Sequence, residues 1–137
     1  MTLPVGPPRD KWEERAYDLA HAVAEWSSCT RDQVGAVVMT PDHDEFIIGF
    51  NDTPSGSLNC GDGGCLRAQR TNPSGSPQLP DELCLHAEDN ALQRAGLRTR
   101  GAILVVTRNP CASCYRRALA GGISYIVAPP AHTWRSS

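Results

Sequence analysis

From Asp10 to about Ser27, apolar residues recur at steps of three and four. Trp12, Ala16, Leu19, Val23 and Trp26 form one stripe, which predicts an amphipathic helix with both tryptophans in the core. Two short apolar runs follow, Val34 to Met39 and Phe46 to Phe50. The cluster Pro41-Asp42-His43-Asp44 lies between them, so the pair predicts a β-hairpin. Residues 51–80 are rich in Gly, Pro, Ser and Asn. Such a length without a periodic pattern is uncommon in a compact domain unless it is functional or pinned. Within it, 71–80 reads as a flexible insertion. A helix is expected from about His86 to Ala95, with Gly96 as its stop. Ala102 to Thr107 is apolar throughout, as in a strand buried on both faces. Pro110 opens a helix that runs through Ala120, Gly121-Gly122 closes it, and Ile123 to Ala128 is the last strand.

The order is then α-β-β-α-β-α-β. Strands joined by crossover helices imply a parallel pair with helices packed on the sheet. Residues 1–9 hold three prolines and are expected to be a flexible N-terminal arm. Residues 10–137 form one domain, which suits a chain of 137 residues with a single core.

Charge and cysteine usage narrow the function. The formal net charge is −2, which disfavours a broad nucleic-acid footprint. No apolar run approaches the length that spans a bilayer, and the N-terminus lacks the basic start and apolar stretch of a signal peptide. A cytoplasmic location is therefore expected. Six cysteines in such a chain point to metal or catalysis before disulfides.

The sharpest pattern is His86-Ala87-Glu88, followed by Pro110-Cys111-Ala112-Ser113-Cys114. His-x-Glu and then Pro-Cys-x-x-Cys is the signature of zinc nucleobase deaminases. Cys111 and Cys114 stand three apart in the first turn of a helix, where the dipole and the unpaired N–H groups favour thiolates. His86 completes three protein ligands, and three ligands leave a position open, as catalytic zinc requires. Glu88, two residues after the histidine, is the candidate general acid and base. Taken alone, a Cys-x-x-Cys could be redox-active or hold structural zinc, and a His-x-Glu is common. The joint pattern, with an apolar strand between its halves, is far more specific.

At these residues the chain resembles the cytidine deaminase superfamily, and within it the deoxycytidylate (dCMP) deaminase branch. The matching stretches are Val34-Gly35-Ala36, then Gly49-Phe50-Asn51-Asp52-Thr53-Pro54-Ser55-Gly56, then His86-Ala87-Glu88-Asp89-Asn90-Ala91. Pro110 to Cys114 and Gly121-Gly122-Ile123 complete the set. The Asn51 block and Asn90 set this branch apart from tRNA adenosine deaminases. The resemblance covers roughly residues 10–128. It implies a three-layer α-β-α fold, with a mixed sheet of four to five strands and packed helices. It also implies zinc, conversion of dCMP and water to dUMP and ammonia, and a homo-oligomer, often a hexamer in this family. Asn51 would meet the sugar 3′-hydroxyl, the Ala87 backbone would face the pyrimidine edge, and Arg31 is a candidate for the 5′-phosphate. Three departures stand out. Asp52 replaces the glycine of Gly-Tyr-Asn-Gly, in a loop that also bears on nucleotide-triphosphate regulation. Arg108 stands where the family usually has an apolar residue; it is either a second phosphate candidate or simply an exposed charge. The family's fifth strand and last helix are expected to be shortened or missing.

Four cysteines remain: Cys29, Cys60, Cys65 and Cys84. Some members of the branch carry a second, structural zinc, on cysteines matching Cys29 and Cys60 and on a residue matching Cys84. The family's remaining ligand, a histidine, has no counterpart here, and Cys65 could replace it. Such a closed Cys₄ set would be structural and would pin the long polar loop. The alternative is four free thiols. His21, His43 and His132 have no recognisable partners and read as surface residues. Two rival functions stay open: a deaminase of a free nucleoside, modified nucleotide or nucleic-acid base, and a zinc-stapled binding module without catalysis. An intact Glu88 disfavours the second, because a structural site has no use for that carboxylate.

Overall fold

The computed structural model describes residues 2–27, 32–51 and 86–130. Arg31, Asp52, His132, the four cysteines Cys29, Cys60, Cys65 and Cys84, and the 71–80 segment lie outside the described residues. The elements in chain order are β1 (Val5–Gly6), α1 (Lys11–Ala24), β2 (Gly35–Met39), β3 (Phe46–Phe50), α2 (Ala87–Ala95), a 3-10 turn (Gly96–Thr99), β4 (Ile103–Val106), α3 (Ala112–Ala120) and β5 (Tyr125–Val127).

Five strands form one mixed sheet in the order β1-β5-β4-β2-β3. β2 pairs antiparallel with β3 and with β4, while β4 and β5 are parallel. The hairpin and the parallel pair stand as the sequence pattern predicts. β4 is buried along its whole length, as a fully apolar strand must be.

Side chains alternate along each strand, so the sheet divides two cores. Ala36, Val38, Leu104, Val106 and Ile126 face α2 and α3, meeting Ala87, Ala91, Ala95 and Ala118. Val37, Met39, Ile103, Val105 and Val127 face α1, meeting Ala16 and Ala20. The result is the three-layer α-β-α arrangement.

Glycines let the helices reach the sheet. A Cβ on Gly35 would lie 1.9 Å from the Ala20 carbonyl oxygen of α1. A Cβ on Gly49 would lie 2.5 Å from the Ala91 nitrogen and 2.6 Å from the Ala87 oxygen of α2. Both obstacles are backbone and cannot rotate away. Gly49→Ala is therefore expected to lift the start of α2 and to cost about 1–3 kcal/mol of stability. Thermal denaturation measures the stability loss, and an activity assay shows whether displacing α2 disturbs the residues at its tip.

Two expectations need correction. Residues 2–9 are not a loose arm. Val5 and Gly6 pair in parallel with Ile126 and Val127 at the sheet edge. Leu3 is buried, its N–H donates to the Tyr115 hydroxyl at 2.7 Å, and that hydroxyl donates to the Leu3 carbonyl. Arg9 chelates the buried Glu13 and stacks over Tyr125, whose hydroxyl donates to the Pro7 carbonyl. Prolines lack an N–H but not a carbonyl, so a segment rich in them can still dock at an edge. The N-terminal segment thus supplies a strand that the sequence pattern does not predict. The family's fifth strand and last helix, expected after Ile123–Ala128, bear on residues beyond 130, which lie outside the described residues. The second correction concerns Trp26, which is 57% exposed. The last turn of α1 tightens through bonds from Trp26 N–H to Val23 O and from Ser27 N–H to Ala24 O. That rotation takes Trp26 off the stripe and sets it edge-on to Phe50.

Candidate zinc centre

Two helix N-termini converge on the α2–α3 side of the sheet. His86 is the N-cap of α2, and its side chain makes no capping bond. Cys111 is the N-cap of α3, and its sulfur accepts from the Cys114 N–H at 3.5 Å. Pro110 lies one residue outside that cap, so it precedes the helix and does not open it. The positive ends of both helices favour anionic groups here.

The three donor atoms of His86, Cys111 and Cys114 lie within 4.8 Å of one another. Nδ1 of His86 stands 3.5 Å from Sγ of Cys114 and 3.7 Å from Sγ of Cys111. Zinc–sulfur and zinc–nitrogen bonds meeting at a tetrahedral angle separate their donors by about 3.6 Å. The triangle therefore fits one zinc ion, and two sulfurs with one imidazole are the ligand types that zinc prefers.

Glu88 follows in the first turn of α2 and is buried. Burial pushes its carboxyl above the ordinary carboxylate range, while a hydrogen bond with Cys114 and the His86 charge pull the other way. Burial also pushes the Cys114 thiol up, and the carboxylates of Glu88 and Asp89 push it further. A divalent cation between the sulfurs inverts that preference.

The other predicted residues occupy the surroundings. Ala87 is fully buried under the sheet in the first turn of α2. Asn51 is buried at the end of β3. Its Oδ1 accepts from the Val34 N–H at 2.8 Å, and its Nδ2 donates to the Asp32 carbonyl at 2.6 Å. Arg108, in the loop from β4 to α3, pairs with the Asp32 carboxylate. Asp32 thus links the asparagine and the arginine. Asn90 donates to the Phe50 carbonyl at 2.7 Å and ties α2 to the strand that carries Asn51. Sequence reasoning missed Asp32, Asp89 and Arg117. Arg117 had a usable signal, since it follows Cys114 by three residues on one helix.

A family model described as "Cytidine and deoxycytidylate deaminase zinc-binding region" matches residues 10–128. Deoxycytidylate deaminase of Schizosaccharomyces pombe is 36% identical over 121 residues, which are 87% of this chain and 37% of that protein. Deoxycytidylate deaminase of Saccharomyces cerevisiae matches in the same way, so this chain spans little more than a third of the yeast proteins. Deoxycytidylate deaminase of Mycobacterium phage D29 is 34% identical, over 88% of this chain and 96% of the phage protein. The crystal structure of dCMP deaminase from cyanophage S-TIM5, in complex with dCMP and dUMP, superposes with a TM-score of 0.66. Its identity is 26%, over 88% of this chain and 82% of that one. The family match and the donor triangle together make zinc the cofactor. This chain belongs to the cytidine and deoxycytidylate deaminase family, whose zinc-binding region its residues 10–128 make up.

Proposed function

We propose that this chain converts dCMP and water to dUMP and ammonia. The observation that carries the reading is a buried carboxyl, Glu88, two residues after His86, one of the three donors of the metal triangle. His86, Cys111 and Cys114 hold the zinc, which when bound acidifies a water to a pKa of about 7. Glu88 takes the proton of that water and delivers it to the ring nitrogen of the cytosine. It then moves a proton to the departing amine. Burial holds this carboxyl above its ordinary range, which raises its affinity for the proton it has to carry between water and ring.

The surroundings support a nucleotide. The backbone of Ala87 faces the pyrimidine edge. Among the described residues Asn51 makes one bond on each amide atom, and an amide has a second N–H and a second lone pair with which to meet the sugar 3′-hydroxyl. Arg31 and Arg108 receive the 5′-phosphate, and on Arg108 the phosphate competes with Asp32. Similarity to the cyanophage enzyme bound to dCMP and dUMP supports the same choice. Cys29, Cys60, Cys65 and Cys84 hold a second, structural zinc. The enzyme works in the cytoplasm as a homo-oligomer, a hexamer by analogy with its family.

Ammonia release is the test, run over dCMP, dCTP, deoxycytidine, 5-substituted dCMP and a cytosine oligonucleotide. Fast release from dCMP supports the reading. Release from deoxycytidine or the oligonucleotide alone sinks the phosphate assignment and keeps the chemistry. Two zincs per chain by metal mass spectrometry support the Cys₄ site, and one removes it. Light scattering gives the assembly.

A further inference from the structure

Asp89 follows Glu88 on α2, and Arg117 follows Cys114 by three residues on α3. That spacing puts Arg117 on the face of its helix that carries Cys114. Nη1 of Arg117 lies 2.6 Å from Oδ1 of Asp89. The same oxygen lies 3.6 Å from Sγ of Cys114. A carboxylate oxygen is itself a competent zinc ligand. Even so, Asp89 is not in the metal-holding group, whose donor atoms lie within 4.8 Å of one another. Its near oxygen is turned to the guanidinium.

We propose that Arg117 is a positioning residue that holds Asp89 away from the metal and so keeps the fourth zinc position open to water. Three protein donors with an open place make a catalytic centre, while a fourth protein donor makes a closed, structural one. This chain carries that fourth donor one residue from its general base, on the turn that begins at His86. A charge-assisted bond from the guanidinium to the carboxylate competes with the metal for that oxygen and keeps it from turning inward. Asp89 and Arg117 are therefore a matched pair: the arginine is needed because the aspartate is there.

The inference rests on the zinc-deaminase reading, and it is tested by epistasis. In Arg117→Ala, kcat is expected to fall about 10- to 100-fold with little change in KM. Zinc transfer to a chelator is expected to slow at the same time, because a fourth ligand closes the site. In the double variant D89A/R117A, both kcat and the rate of zinc loss return towards the parent values. R117K, which keeps the cation, stays closer to the parent than R117A. Faster zinc loss from R117A would mean that the pair merely braces α2 against α3, and would overturn the proposal. So would an unimpaired R117A, or a double variant as impaired as the single one. Zinc-loss rates need no substrate. If the parent deaminates nothing in the panel, the functional reading fails, while these rates still decide the role of Arg117.

Discussion

Glu88→Gln is expected to cut dCMP turnover by about 10²–10⁴-fold while the zinc content stays unchanged. Glutamine has nearly the shape of glutamic acid, so the packing of α2 against the sheet survives. It carries no exchangeable acid proton, so it cannot take a proton from water or deliver one to the ring. The native site also indicates that the fold will tolerate the change. Burial already favours the neutral form of Glu88, and a neutral amide in its place adds no buried charge. Metal mass spectrometry and a thermal melt accompany the assay. An inactive variant with full zinc and an unchanged melt places Glu88 in the chemistry. Loss of metal or fold would show that its role is structural, and the binding-module reading would gain.

Removing the zinc should have an effect of similar size. Dialysis against a chelator is expected to abolish activity, and one equivalent of zinc per catalytic site should restore it. The missing Lewis acid corresponds to several kcal/mol of transition-state stabilisation, about a thousandfold in rate. Stability falls too, because two helix tips that converge on a shared ion lose their tie. Cys114→Ala should behave as the stripped protein does, except that added zinc restores nothing. Full recovery of C114A with zinc would mean that the ion is held elsewhere.

Much of this architecture was legible because unbroken apolar runs mark β2 and β4 and a three-four stripe marks α1. Which core each residue of β2 and β4 enters was not legible, because apolar residues stand on both faces of these strands. The donor triangle was legible for a different reason. Its three residues fall in the joint His-x-Glu and Pro-Cys-x-x-Cys pattern, whose spacing alone carries the assignment. Strand β1 was invisible. Two residues carry no period, and its hold on the sheet comes from Tyr115, Tyr125 and Glu13, whose contact with residues 3–9 no local pattern reveals. Trp26 misled because the stripe continues for three residues beyond the point where the helix tightens. The Asp89–Arg117 pair joins two helices: the spacing from Cys114 could have placed Arg117 on the metal's side of α3, but not its partner on α2. The bridge that Asp32 makes between Asn51 and Arg108 leaves no trace in a single sequence.

The placement of β1 has a consequence for how the protein is made. Tyr125 and Pro7, which share a hydrogen bond, are 118 residues apart in the chain. At typical ribosomal speeds that interval takes about 6 to 24 s. Throughout it β1 has no edge to dock on, because β5 follows every other strand of the described sheet in the chain. Both cysteines of the donor triangle also follow β4 and precede or open the helix before β5. The β1 segment therefore emerges before the rest of the sheet and is fixed only once β5 has followed. Its prolines, which deny it any strand partner on the N–H side at Pro7 and Pro8, help to keep that waiting edge from pairing with the wrong chain.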